Sequence, residues 1–453
     1  MPRLHPALMV GQGFLTVIVI GTILLMMPFA TPSGRPPANV LDALFTATSA
    51  TCLTGLITVD TETFWATGGQ VIIMLLIQIG GLGIMTMASV LALIFAGRMG
   101  IRTRLTAAAE GRGADLGEIR WVVRATLLFT LIVELIVAVF LTLRFHFGYG
   151  YGWGKASWQG LFHAISGFNN AGFALYTDNV MGFVADAWIL LPLAFALMVG
   201  GIGFPVLLEV YRASRGAVRA KLKGRRRVRH RFTLTTRFTV IGTAILVVAG
   251  FVLVLLGEWR GAMKGLDVPA KALNAFFAGV SPRTAGFNAL DYGEFHPSTL
   301  LGTDILMMIG GGSGGTAGGV KVTTAAVLLA AVYAEIRGDS SVNVFGRRLA
   351  PRIIRQALAV ATFALVLVVG AVTSILFIAP GFSTDNVVFE VVSAFATVGL
   401  SVGITADLPR AAQCILIVLM FLGRVGPLAM ASGLAARYRG RVFDYPEERL
   451  FIG

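Results

Sequence analysis

The sequence predicts an all-α membrane protein made of four tandem hairpins, eight transmembrane helices in all, arranged around a pseudo-fourfold pore. Three observations carry that prediction: the composition, a glycine turn repeated four times at constant phase, and the placement of the basic residues. Of 453 residues, 56% are hydrophobic and 13% charged, and the mean hydropathy is +0.80, outside the range of soluble globular chains. Apolar runs long enough to cross a hydrocarbon core, which needs about 20 helical residues, include Leu8 to Phe29, Val71 to Phe95, Val122 to Leu143 and Ala357 to Ile378. They leave no stretch for a soluble domain. The first run has only Arg3 nearby and no small-residue cleavage site, which predicts a retained span.

The repeat is read from four glycine-bearing segments. They are Thr51-Cys52-Leu53-Thr54-Gly55-Leu56, Phe168-Asn169-Asn170-Ala171-Gly172-Phe173, Pro282-Arg283-Thr284-Ala285-Gly286-Phe287 and Ala396-Thr397-Val398-Gly399-Leu400. Gly55, Gly172, Gly286 and Gly399 follow one another at 117, 114 and 113 residues, a regularity that marks an internal repeat. Each is followed by an apolar span with its own glycine cluster, such as Ile79-Gly-Gly-Leu-Gly83, Val199-Gly-Gly-Ile-Gly203 and Leu422-Gly-Arg-Val-Gly426. Those clusters suit close helix packing. The units run over residues 1–97, 98–215, 216–338 and 339–453.

Of the 37 Lys and Arg, 26 fall in four places: 6 in Arg98 to Arg124, 11 in Arg212 to Arg237, 5 in Arg337 to Arg355 and 4 in Arg437 to Arg449. By the positive-inside rule these segments and both termini are cytoplasmic, and each unit is a hairpin with its turn toward the outside. The net charge of +14 therefore speaks of topology and not of nucleic acid. The densest block, Lys221 to Arg231, suits anionic lipid or a cytoplasmic docking partner. Two cysteines, Cys52 and Cys414, supply neither a disulfide framework nor metal-ligand spacing.

Before each turn lies an apolar segment too short to span a bilayer, with a start signal: Asn39 before Val40 to Ala50, Ser157 before Trp158 to Gly167, Asp267 and Pro269 before Ala270 to Val280, Ser383 or Thr384 before Val387 to Phe395. These are expected to be re-entrant helices whose partially negative C-termini aim at the turns. Irregular backbone cannot face lipid, so the turns must line a cavity. Four of them around one axis present rings of carbonyl oxygens, a site for a cation. Glycine suits the turn because positive φ costs other residues about 1–2 kcal/mol. Asn169, Asn170 and Asn288 are placed to brace it.

These motifs resemble the KtrB-type membrane subunits of the Trk/Ktr/HKT potassium-transporter superfamily over essentially the whole chain. The residues that carry the resemblance are Thr54 to Thr61 (Thr-Gly-Leu-x-x-x-Asp-Thr), Gly167 to Phe173, Arg283 to Asn288 and Gly423 to Leu428. Chain length agrees, since TrkH-like relatives carry further N-terminal spans. The resemblance implies that the four turns are an ion filter with potassium at its carbonyls, the four turn glycines being filter glycines. Gly55, where sodium-preferring plant relatives have serine, favours potassium. Cys52 and Leu53 stand where small or β-branched residues are usual. The resemblance also implies uptake through a gated pore, sodium stimulation, a homodimer, and a cytoplasmic ring of KtrA-like subunits that alone binds nucleotide. The tail Pro446 to Gly453 ends apolar, as if buried against a neighbour.

Gly310-Gly311-Gly312-Ser313-Gly314-Gly315-Thr316-Ala317-Gly318-Gly319 interrupts the third returning span. Each glycine costs about 1 kcal/mol relative to alanine in a helix, so this segment opens into a loop just inside the filter, where it can block or clear the path. The superfamily resemblance makes it the intramembrane gating loop. A dinucleotide fingerprint is excluded because no strand precedes it, and no Gly-Lys-Ser/Thr makes it a phosphate loop. Arg424 interrupts the equivalent cluster of the fourth span. A cation there faces a cavity or a partner; it is read as bonding the loop's carbonyls and raising a barrier to cations, with a structural tie as the other role. Lys321 is the weaker candidate for the same role.

Asp60, Asp178, Asp291 and Asp407 follow the filter glycines by 5, 6, 5 and 8 residues. They suit an acidic outer vestibule or caps of the returning helices equally well. Glu134, in mid-span, suits a structural hydrogen bond or a proton-coupled mechanism, and His163 is read as packing. The second function class, a proton- or sodium-coupled secondary transporter, predicts inverted repeats and several midplane carboxylates; here the repeats are parallel and a single span is read as broken. An intramembrane enzyme would need a His-Glu-x-x-His motif or paired acids, and the spans offer neither.

Overall fold

The computed structural model describes residues 6–96, 116–222 and 232–436, and among them lie fourteen α-helices. The basic block at 223–231, most of Arg98 to Arg124, the basic residues past 436 and the tail Pro446 to Gly453 fall outside the described residues, as do both termini.

In chain order the helices follow the four sequence repeats, each called a unit. The first holds α1 (Pro6–Leu25), α2 (Val40–Cys52) and α3 (Thr67–Ala96). The second holds α4 (Leu116–Tyr149), α5 (Trp153–Phe168), α6 (Ala187–Ile202) and α7 (Phe204–Leu222). The third comprises α8 (Leu234–Gly257), α9 (Val268–Val280), α10 (Pro297–Met308) and α11 (Val322–Ile336). The fourth comprises α12 (Pro351–Ile378), α13 (Thr384–Ala396) and α14 (Arg410–Ala436). Among the described residues, three helices are long and apolar enough to cross a membrane: Val123–Tyr149, Leu234–Gly257 and Pro351–Ile378.

The short helices α2, α5, α9 and α13 each pack on the helix that precedes them, α1, α4, α8 and α12 respectively. Each also packs on a returning helix of the neighbouring unit: α3 on α5, α6 on α9, α10 on α13 and α14 on α2. The last contact brings the fourth unit back to the first. Their starts follow the capping chemistry of their sequences. Asn39 Oδ1 accepts from Asp42 N at 2.9 Å and Asp267 Oδ1 from Ala270 N at 3.3 Å, satisfying N–H groups that a first helical turn leaves unpaired. Ser383 is the residue that precedes α13.

The helix before the second turn begins earlier than expected. α5 starts at Trp153 after Gly152, and Ser157 lies inside it with Oγ donating to the Gly154 carbonyl at 3.1 Å. A serine that bonds back to its own helix is no longer a start signal.

A second apolar stretch is also interrupted. α6 and α7 meet at Gly203 with a bend of 100°, so the third unit's glycine loop is not the single interruption. Gly203 has φ +95°, and a Cβ there would lie 2.6 Å from Gly315 N, which leaves room for glycine only. In the third unit α10 ends at Met308 and α11 begins at Val322, with no helix between.

Candidate functional site

The four predicted turns lie at the C-termini of the four short helices and are buried. Their backbone follows one pattern. Gly55, Gly172, Gly286 and Gly399 have φ of +95°, +74°, +69° and +89°, and the residue two positions earlier is left-handed as well: Leu53 at +57°, Asn170 at +57°, Thr284 at +73° and Thr397 at +51°. Left-handed backbone at two alternate positions turns successive carbonyls in a way that extended chain or helix does not. At a non-glycine residue it stores roughly 1–2 kcal/mol, which the surroundings must hold in place.

A serine holds each turn, and the sequence reading missed it. Ser49, Ser166, Ser281 and Ser393 lie six, six, five and six residues before the turn glycines. The backbone carbonyl of each accepts the N–H of the residue before the glycine, from Thr54 at 2.8 Å, Ala171 at 2.8 Å, Ala285 at 2.9 Å and Val398 at 2.9 Å. Ser49 Oγ accepts from Gly55 N and Ser393 Oγ from Gly399 N, each at 3.0 Å. Ser166 Oγ donates to the Phe173 carbonyl at 2.7 Å, and Ser281 Oγ to that of Phe287. The serines keep the glycines' phase, which is the signal that would have found them.

The four glycines are neighbours in a closed ring. A Cβ placed on Gly55 would lie 3.1 Å from Gly172 Cα, one on Gly172 would lie 2.8 Å from Gly286 Cα, one on Gly286 would lie 3.3 Å from Gly399 Cα, and one on Gly399 would lie 2.9 Å from Gly55 Cα. Thus segments more than a hundred residues apart in sequence meet backbone to backbone. Behind them, Gly80, Gly200 and Gly423 let α3, α6 and α14 approach the carbonyl ends of the short helices: a Cβ would lie 3.0 Å from Thr51 C, 3.0 Å from Phe168 C and 2.7 Å from Phe395 C. The glycine clusters of these spans are packing surfaces.

The amides divide the labour differently from the expectation. Asn169 Nδ2 turns away from the ring, to Glu134 Oε1 at 2.9 Å, Gln78 Oε1 at 3.2 Å and the Ile165 carbonyl at 2.9 Å. Gln78 Nε2 donates to the other Glu134 oxygen at 3.3 Å, so the buried mid-span carboxylate ties α3 and α4 to the second turn. Asn288 Nδ2 donates to the Leu290 carbonyl at 3.2 Å. The amide that reaches turn-glycine carbonyls is Asn179, whose Nδ2 faces Gly172 O at 3.3 Å and Gly286 O at 3.4 Å. No sequence signal singled it out. Arg283 is buried with its Nε unpartnered, beside a small cavity lined also by Asn170, Gly201, Val247 and Val280.

Residues 310–319 lie against three of the units. Gly312 N donates to Gly201 O at 2.9 Å and Thr316 N to Gly200 O at 3.2 Å, so the loop satisfies carbonyls that the end of α6 leaves free. Gly310 N donates to Val320 O at 2.8 Å and Val322 N to Gly311 O at 3.1 Å, closing the loop's neck. With its amide nitrogen as donor, Asn170 reaches Thr316 Oγ1 at 3.1 Å. On the far side a Cβ on Gly318 would lie 3.0 Å from Thr397 Cβ, and one on Gly319 would lie 3.2 Å from Ala396 Cα. The loop therefore touches the second and fourth turns, which are opposite members of the ring. Ser313 Oγ and Thr323 Oγ1 are 2.8 Å apart. Gly314 has φ +89°.

Two cations hold this loop. Arg424 Nη1 donates to the Thr316 carbonyl and Lys321 Nζ to that of Ala317. Arg424 is 3% exposed, and its Nε and Nη2 have no partner.

The acidic quartet follows the turns in sequence. Asp60 Oδ1 accepts from Thr63 N at 2.6 Å and Thr63 Oγ1 at 2.8 Å, and Asp291 Oδ1 accepts from Gly293 N at 2.8 Å, each closing its own turn. Neither caps a returning helix; that role falls in the second unit to Asp186, which accepts from Trp188 N at 2.9 Å. Asp178, Asp291 and Asp407 are exposed and Asp60 is half-buried.

A family model for cation transport proteins of the TrkH type matches residues 5–436. The chain belongs to the TrkH family of cation transport proteins. Among its relatives, Ktr system potassium uptake protein B of Bacillus subtilis is 39% identical over 453 residues, covering 100% of this chain and 97% of the relative. The protein of the same name from Vibrio alginolyticus is 38% identical, covering 97% and 93%. Potassium/sodium uptake protein NtpJ of Enterococcus hirae is 34% identical, covering 100% and 98%. The crystal structure of the potassium transporter TrkH from Vibrio parahaemolyticus superposes with a TM-score of 0.69 over 94% of this chain and 85% of that one, at 20% identity, and so shares its fold. TrkH-family membership makes this a membrane protein of a cation, and specifically potassium, uptake family, in agreement with its apolar helices.

Proposed function

We propose that this protein carries potassium into the cell through a gated, channel-like pore, the ring of four turns serving as its filter. The observation that carries this is the closed ring of Gly55, Gly172, Gly286 and Gly399, each left-handed and each preceded at two residues by a second left-handed residue. Backbone so held offers carbonyl oxygens as replacements for an ion's hydration shell, and four helix C-termini aimed at the ring add negative potential. The relatives' names, two of potassium uptake proteins and one of a potassium/sodium uptake protein, support both the cargo and a part for sodium.

In this reading α1, α3, α4, α6 with α7, α8, α10 with α11, α12 and α14 are the eight spans, in four hairpins about one axis, with the termini in the cytoplasm. The loop at 310–319 is the gate, and Arg424 and Lys321 hold it across the ion path. The acidic quartet is the outer vestibule. A homodimer regulated by a cytoplasmic nucleotide-binding ring fits the word "system" in the relatives' names.

The test is rubidium and sodium uptake into proteoliposomes holding the purified protein, with Gly55→Ser beside the wild type. A Cβ at Gly55 would lie 2.5 Å from Ala171 O on positive-φ backbone, so this variant should lose rubidium flux and rubidium-over-sodium preference together. Absence of rubidium flux in the wild type, or an unchanged preference in an inserted variant, overturns the proposal.

A further inference from the structure

His163 and Glu390 occupy the same place in two opposite units. Each lies three residues before the serine that holds its turn, Ser166 in α5 and Ser393 in α13. Each accepts a hydrogen bond from the backbone N–H three residues beyond the turn glycine: Leu175 N donates to His163 Nε2 at 3.3 Å, and Val402 N to Glu390 Oε1 at 3.1 Å. The groups are 1% and 0% exposed. His163 Nδ1 faces the Gln159 carbonyl at 2.7 Å, so Nδ1 carries the proton and Nε2 offers the lone pair. Glu390 takes two further bonds past the fourth turn, from Ser401 Oγ and, at 2.8 Å, from Thr405 Oγ1. The histidine is thus more than packing.

Among the described residues the other two units show no such bond to that backbone N–H, although in the first unit Thr58, three residues beyond Gly55, is tied to α2 by its Oγ1, which donates to Asp42 Oδ1 at 3.1 Å. At the place corresponding to His163 and Glu390 these two units carry Thr46, whose Oγ1 has no partner, and Ala278, which has no polar side-chain atom. In the order of the ring, the second turn faces the fourth and the first faces the third.

We infer that His163 and Glu390 are a pair of positioning residues that set ion preference, clamping the outer end of two opposite filter segments and leaving the other two without such a clamp. The inference rests on the filter reading given above. The clamped N–H lies three residues from the carbonyls that would ligate an ion. Discrimination between potassium and sodium depends on how many carbonyls point inward and how firmly they are held. Two rigid segments facing each other fix one diagonal of the ring. Removing an acceptor leaves a buried N–H unpaired, and the segment relaxes to find another partner. The chemistry differs at the two sites, an imidazole lone pair against a carboxylate, yet the N–H held is the same.

The experiment compares rubidium and sodium uptake into proteoliposomes at equal inserted protein, for wild type, His163→Phe, Glu390→Leu and Thr46→Val. His163→Phe and Glu390→Leu should each lower the rubidium-over-sodium ratio by on the order of fivefold, as loss of one buried acceptor implies, and raise the apparent KM for rubidium. Thr46→Val should match the wild type. His163→Gln, whose terminal oxygen can stand near the imidazole Nε2, and Glu390→Gln should recover most of the ratio, a rescue that bulk packing alone does not give. Wild-type ratios in both His163→Phe and Glu390→Leu, or an equal loss in Thr46→Val, overturn the inference. Should the two non-polar variants fail to insert, Glu390→Gln is read against Glu390→Asp, which is too short to reach Val402; equal ratios then overturn it. A wild type without rubidium flux removes the filter reading and this inference with it, whereas unchanged variants of an active wild type remove this inference alone.

Discussion

Arg424, on α14 of the fourth unit, donates from Nη1 to the backbone carbonyl of Thr316 in the glycine loop of the third. The bond joins the helix that follows the fourth turn to the loop between α10 and α11. Because Nε and Nη2 of the same guanidinium are unpartnered and the residue is buried, its charge is under-compensated where it stands. A buried cation without its full set of partners is costly, and such residues face a cavity or a pathway. Arg424→Ala removes both the loop's anchor and the positive charge. Rubidium uptake by proteoliposomes should rise about tenfold to a hundredfold, the range expected for a hydrogen bond to a charged group. Arg424→Lys should fall between. Unchanged flux from a folded Arg424→Ala protein would leave the residue as a structural tie only.

The loop has a second anchorage on the broken end of α6, where Gly203 lies against Gly315. Alanine at Gly203 meets both a φ of +95° and the Gly315 nitrogen at 2.6 Å. The backbone strain alone is about 1–2 kcal/mol, and the overlap adds to it. Gly203→Ala is expected to lower the melting temperature in detergent and to raise rubidium uptake by loosening the loop from the Gly200 and Gly201 carbonyls. Gly216→Ala, with open space at its Cβ, is the control and should behave as wild type.

The serines behind the turns should separate into two classes. Ser49 and Ser393 accept from a turn-glycine N–H, whereas Ser166 and Ser281 donate to a carbonyl. A buried N–H without an acceptor is rarer and costlier than a carbonyl short of one donor. Ser49→Ala and Ser393→Ala should therefore destabilise by about 1–3 kcal/mol and blunt rubidium-over-sodium preference, with Ser166→Ala and Ser281→Ala clearly milder in both. Thermal melting and paired ion uptake measure the order; a reversed order would show that the hydroxyls act in some other way.

Particular residues show why part of this site could be read from the sequence and part could not. The turns were legible because positive φ under close backbone approach leaves little choice but glycine, so the glycines recur at one phase. The break at Gly203 was not. Val199-Gly200-Gly201-Ile202-Gly203 has the pattern of Ile79-Gly80-Gly81-Leu82-Gly83, yet α3 runs unbroken through its copy. What differs is the partner: the N–H groups of Gly312 and Thr316, over a hundred residues downstream, take up the carbonyls of Gly200 and Gly201. A helix end rewarded by a distant loop leaves no local trace. The same holds for Ser157, a good start signal by residue type that bonds inside its own helix instead, and for Asn179, which becomes visible only when two turns are brought together.

The acidic quartet gives a prediction in which geometry and electrostatics pull apart. Asp178, Asp291 and Asp407 are exposed, and of these Asp291, like the half-buried Asp60, closes a turn through its side chain. If the quartet concentrates cations at the outer mouth, its effect is long-range and screened: the Debye length is roughly 30 Å at 0.01 M salt and roughly 3 Å at 1 M. The double variant Asp178→Asn with Asp407→Asn should raise the apparent KM for rubidium about twofold to fivefold at low ionic strength, the modest size expected of surface charge. Adding an impermeant organic salt should bring the two proteins together. Asp60→Asn and Asp291→Asn, which weaken turns as well, should lower the melting temperature and shift KM in a way that salt removes only in part. A KM shift in the Asp178 and Asp407 double variant that persists unchanged at high salt would mean that those carboxylates act at contact range, and the vestibule would have to be given up.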